Sequence, residues 1–129
     1  MNKIIVEVSI GELLDKISIL EIKQGKIKDP EKLKFINNEH SILKSQLENN
    51  VKSDEKLNNL YQSLKEINAK LWVIEDDKRQ CEKDKSFGEI FIKLSRDVHF
   101  LNDDRAKIKL EINNHTGSVI KEIKEYTNY

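Results

Sequence analysis

Apolar residues recur along this chain with two different periods. Ile4, Val6 and Val8 alternate with Lys3, Ile5 and Glu7, a period of two that predicts a short strand within residues 1–8. No second strand follows. The segment is therefore expected to lie as an extended arm on its neighbours or to pair with its copy in another subunit, since strand edges seek partners.

From Ser9 onward the period changes to 3.6, and 9–129 reads as one helical domain. Ser9-Ile10-Gly11-Glu12 is a capping-box pattern, in which the hydroxyl takes a free N–H and Glu12 reaches back to another. Ile10, Leu13, Leu14, Ile17 and Leu20 then share one face, and Gly25 weakens the end. Asp29-Pro30 opens a second helix with the stripe Leu33, Ile36, Leu43 and Leu47, closed by Asn49-Asn50. Ser53-Asp54 caps a third, expected to run to about Gln80, with the stripe Leu57, Leu60, Tyr61, Leu64, Ile67, Leu71 and Trp72. Cys81 to Ser86 reads as a charged loop. Ser86 opens a fourth helix whose stripe is Phe87, Phe91, Leu94, Val98, Leu101, Ile108 and Ile112. Asn113 to Gly117 breaks it. Ser118 is expected to cap a short last helix carrying Val119, Ile120, Ile123 and Tyr126. Short connections between long helices favour an all-α antiparallel bundle of four main helices.

Most charges lie opposite these stripes, as on any solvated face, but a few do not. At about 100° per residue, Glu75 points with Leu57, Leu64 and Leu71, and Arg79 follows one turn later. Asn68 falls between Leu64 and Trp72. Arg105 lies in line with Leu94, Val98 and Leu101, and Asn102 flanks that stripe. Glu21 projects between Leu14 and Ile17, and His40 between Ile36 and Leu43. An unpaired buried charge costs several kcal/mol, so these groups must pair or face a wet pocket. Glu75 and Arg79 are spaced to pair along one helix, Glu21 is the expected partner of Arg105, and the two Asn complete the hydrogen bonds.

Composition changes this picture in three ways. Lys+Arg and Asp+Glu are both 23, so the net charge is zero. With lysines scattered and aromatic residues on core faces, a nucleic-acid partner is not expected. Of those cations only Arg79, Arg96 and Arg105 are arginine, and two of the three lie on core stripes, where a flat bidentate fork has a use that lysine cannot meet. The single cysteine, Cys81, admits no intrachain disulfide. With no signal-peptide pattern and no run of about 18 apolar residues, a cytoplasmic protein without membrane contact is expected.

The expected function is binding of an anionic small molecule, such as a phosphate or carboxylate, by Glu21, Asn68, Glu75, Arg79, Asn102 and Arg105. Two other readings compete with it. In one, the same cluster is a sealed network that fixes helix packing in a structural or assembly protein. That protein would form a homo-oligomer through a second apolar patch, Ile19 and Ile22 beside Asp15. In the other, Glu75 with Glu21 or His40 holds Mg²⁺ or Mn²⁺ for hydrolysis of a nucleotide-like substrate, although the paired ExxE motif of such helical enzymes is missing. No catalytic residue, metal ligand or cofactor is assigned by the residues themselves.

Three segments carry a resemblance: Ser9 to Lys23 (SIGELLDKISILEIK), Leu71-Trp72 with Glu75-Asp76 and Arg79, and Leu101-Asn102-Asp103-Asp104-Arg105-Ala106 through Ile112-Asn113. Together they resemble a family of small helical bacterial and viral proteins known only as a domain of unknown function, over nearly the whole chain. A second uncharacterised helical family is similar in its Trp-x-x-Glu-Asp and Leu-Asn-x-x-Arg pieces. The resemblance implies an all-α domain and brings no activity. It places Asp15, Lys16, Asp76 and Asp103 inside the shared motifs, where they are expected at a pocket rim.

Overall fold

The computed structural model describes residues 2–129 and has four helices: α1 (Ile10–Lys26), α2 (Pro30–Asn50), α3 (Glu55–Asp84) and α4 (Glu89–Thr116). Their starts follow local chemistry. The Ser9 hydroxyl accepts the Glu12 N–H at 3.0 Å. Asp29 accepts from Glu31 at 3.0 Å, with Pro30 at the first helical position. Asp54 accepts from Leu57 at 2.7 Å. The return half of the capping box goes elsewhere, for Glu12 turns its carboxylate to Lys109, 2.6 Å away. Helix α4 ends on Gly117 at φ 68°, the left-handed conformation that a residue without a Cβ adopts at no steric cost.

Helix α1 packs against α2, α3 and α4, and α3 packs along α4. The four-residue link between Asp84 and Glu89 makes α3 and α4 antiparallel neighbours. The core joins Leu14 of α1, Leu57 and Leu64 of α3 and Ile112 of α4, ringed by Ile10, Leu47, Val51, Leu60, Tyr61 and Ile108. Each such aliphatic side chain contributes about 1.5–3 kcal/mol on burial. Helix α1 buries seven residues and α2 none, so α1 is the element around which the others gather. At Gly11 the approach to α4 is closest: a Cβ there would stand 2.6 Å from the Lys109 carbonyl oxygen.

Three expectations are corrected. Among the described residues the N-terminal segment forms no strand; residues 2–8 run as an arm with Ile4, Ile5 and Val6 exposed, because no second strand stands among these residues to pair with it. The short last helix does not form, and 118–129 is irregular. Its intended cap is occupied, since the Ser118 hydroxyl accepts the Ile10 N–H at 3.1 Å and donates to the Ile120 carbonyl at 2.8 Å. Ser118 thereby caps α1 instead of a helix of its own. Finally, α3 runs through Cys81 to Asp84 and α4 begins at Glu89, not Ser86. Residues 80–84 contain good helix formers, and Gln80 donates to Asp84 one turn on at 3.1 Å.

Candidate functional site

Asp15 stands at the centre of the polar interior. It is 1% exposed and receives donors from two other helices. Arg105 grips it bidentately through one edge of its guanidinium: Nε donates to Oδ1 at 3.0 Å and Nη2 to Oδ2. Asn68 donates to Oδ1 at 2.8 Å and equally to the Ser18 hydroxyl, which in turn donates to the Asp15 carbonyl at 2.7 Å. The Lys109 ammonium lies 3.7 Å from Oδ2. Burial alone would raise the Asp15 carboxyl; the hydrogen bonds from Arg105 and Asn68 and the charges of Arg105 and Lys109 outweigh it, so its pKa lies below the ordinary value. The same ion pair holds the Arg105 pKa above its usual value.

Glu21 forms a second cluster. Its carboxylate accepts from Tyr61, meets His40 Nε2 at 2.9 Å and Lys65 Nζ at 3.3 Å, and so ties α1 to α2 and α3. Desolvation pulls this carboxyl upward, but Tyr61, His40 and Lys65 together bring it below its ordinary value. Burial, and then Glu21, push the Tyr61 hydroxyl well above its usual pKa, so Tyr61 stays a donor throughout the neutral range.

The expected pairing of Glu21 with Arg105 is therefore corrected: the partner of Arg105 is Asp15. Glu21 lies six residues beyond Asp15, about 120° away around the helix at 100° per residue, and faces α2 instead. Asp15 itself was expected at a pocket rim and is among the most buried side chains of the molecule. One sequence signal marks it. Gly11, Asp15, Ser18 and Ile22 are all buried along a second face of α1, and the small Gly11 and Ser18 let neighbouring helices come close to the charge between them.

Between α1 and the α3–α4 pair lies a cleft of about 330 Å³. Its apolar wall is Ile19, Ile22, Leu71 and Trp72, and its polar wall is Asn68, Glu75, Asp76, Arg79 and Arg105. Four of the six expected site residues, Asn68, Glu75, Arg79 and Arg105, thus line one cavity. Asn102 accepts from Arg105 Nη1 at 3.4 Å and lines a second cavity with Lys109, Tyr126 and Tyr129; Arg105 stands between the two cavities and lines both. Glu21 is absent from both linings. Glu75 and Arg79 are exposed, not interior, and form no ion pair with each other among the described residues. The 17 residues of α1 span about 26 Å and the 30 of α3 about 45 Å, so α1 leaves the outer turns of the α3 stripe uncovered. Ile19 and Ile22, expected as an outer patch for self-docking, face this cleft: Ile22 is buried and Ile19 half-buried.

Among the described residues no three His, Cys, Asp or Glu side chains are grouped to hold a metal ion. The expected set of Glu75 with Glu21 or His40 is not assembled, since His40 and Glu21 meet each other and Glu75 faces the cleft. Every buried side-chain nitrogen and oxygen among these residues has a hydrogen-bond partner. No helix among the described residues is long and apolar enough to cross a membrane.

A family described as "Family of unknown function (DUF6165)" matches residues 4–129. Neither the curated proteins nor the solved structures yield a significant match.

Proposed function

Because the chain belongs to the family of unknown function DUF6165, whose description carries no activity, we propose a role from the cleft alone: it binds a small molecule through an anionic group such as phosphate or carboxylate. The observation that supports this is that two of the three arginines line one cavity beside the chain's only tryptophan. Pockets that combine an apolar wall with a few convergent polar groups are the usual form of small-ligand sites. Arg105 is prepared for the task by its setting. Asp15 and Asn102 occupy three of its five N–H groups, which fixes the plane of the guanidinium and leaves two donors. Arg79, exposed at the outer part of the same lining, adds a positive charge that attracts an anion toward the cleft.

A second reading has its own support. The bidentate pairing of Arg105 with Asp15 is what a network that sets helix register would also contain. Trp72 fluorescence separates the two readings. Titration with inorganic phosphate and with acetate is expected to change the emission and raise the melting temperature; at a hundredfold excess over Kd the gain is about 2.7 kcal/mol. Arg79→Gln, at an exposed position, is expected to weaken binding about threefold with little loss of stability. If no anion shifts either signal, the cluster serves packing alone.

A further inference from the structure

The cleft is not simply cationic. The charge of Arg105 is already met by Asp15, and Glu75 and Asp76 share the lining with Arg79. A ligand carrying only negative charge would lie against two carboxylates. We propose that the ligand is bipolar: a small molecule with an anionic group at one end and an ammonium group at the other. The inference rests on the anion-binding reading above and narrows it.

The placement of side chains along α3 supports this. Asn68, which shares Asp15 with Arg105, marks the inner end of the cleft. Trp72 lies one turn further, and Glu75 and Asp76 follow at the outer part. From Asn68 to Glu75 the helix rises about 10 Å. An anion on the free N–H groups of Arg105 thus leaves the other end of a short chain level with the two carboxylates. Trp72, half-buried in the same wall, presents an indole to that end, and an ammonium held by carboxylates is further favoured by an aromatic face. Ile19, Ile22 and Leu71 supply the apolar stretch that a methylene spacer needs. A metal ion bridging a phosphate to Glu75 and Asp76 is the competing arrangement. It has less support, because the described residues group no third protein ligand there.

Matched probes test the proposal on the full chain, read by Trp72 fluorescence and calorimetry. Phosphoethanolamine is compared with ethyl phosphate and ethylamine, and 6-aminohexanoate with hexanoate and hexylamine. In at least one set the bipolar probe is expected to bind about tenfold or more tighter than its anion-only partner. Glu75→Gln with Asp76→Asn, both exposed positions, should abolish that advantage and leave ethyl phosphate binding unchanged or tighter. The single replacements serve if circular dichroism shows the double variant unfolded. Equal binding of the anion-only and bipolar probes in both sets overturns the bipolar ligand and leaves the anion site standing. Phosphate binding that requires Mg²⁺ overturns it in favour of a metal bridge. Failure of every probe, phosphate included, removes the anion site as well.

Discussion

Asp15 is held at once by Arg105, Asn68 and Lys109, so the energy of this site is visible in what a single replacement orphans. Arg105→Met leaves a carboxylate 1% exposed without its bidentate partner. Breaking a buried pair from one side costs about 3–5 kcal/mol. Because the Arg105 side chain is itself 29% exposed, a loss near the lower end, about 3 kcal/mol, is expected in urea unfolding. A variant as stable as the parent would mean that Arg105 is held for a ligand and not for packing. Arg105 and Asn68 are legible in the sequence because each interrupts an apolar stripe. Asp15 is not, because it belongs to a second buried face of α1, where Gly11 and Ser18 replace the large apolar residues that mark a stripe.

At the scale of elements, α1 and α2 are opposites. Helix α1 is buried on several sides and approaches α4 so closely that Gly11 has no room for a methyl group. Gly11→Ala drives a Cβ to 2.6 Å from backbone, which no side-chain rotation relieves; a loss of about 1–3 kcal/mol is expected, measured by thermal or urea unfolding. Helix α2 buries no residue and is tied to the rest by Leu47, by the Gln24–Asn37 contact at 3.0 Å and by the Glu21–His40 pair. Hydrogen exchange in α2 is therefore expected to be faster than in α1. Glu21→Ala should accelerate α2 further while leaving the α3–α4 pair protected. Uniform exchange across all four helices would show that α2 is held by something other than these contacts. The starts of α1 and α2 and the end of α2 were legible from Ser9, Asp29 and Asn50, since caps act within one turn, whereas Gly25 marked the end of α1 only approximately. The last helix was misjudged because Ser118 has two possible uses, and its distance from Ile10 in the sequence hid the one it takes.

For the whole molecule, the two carboxylate clusters set the response to acid. Asp15 and Glu21 both titrate below their ordinary values of 3.8 and 4.5. A group with a lowered folded-state pKa adds stability that is fully present above its unfolded pKa and is lost as pH falls through the folded one. The melting temperature is thus expected to hold from neutrality to about pH 5 and to fall progressively below pH 4.5. Asp15→Asn, itself less stable, should show a shallower fall. Melting curves between pH 7 and pH 2 check this, and a flat profile for the parent chain would contradict the native pairings of both carboxylates.

Period, caps and composition are local properties, so the chain by itself determined four helices, most of their limits and the all-α class. It also identified the polar residues that interrupt apolar stripes, because that anomaly needs no knowledge of neighbours. Which partner each of them meets was decided only in three dimensions. The rotation of α1 about its axis gives Arg105 to Asp15 and sends Glu21 to α2, and the shortness of α1 beside α3 opens the cleft at Trp72. Both depend on how helices distant in sequence are set against one another, and such packing is fixed by the summed fit of many side chains, which no single segment contains.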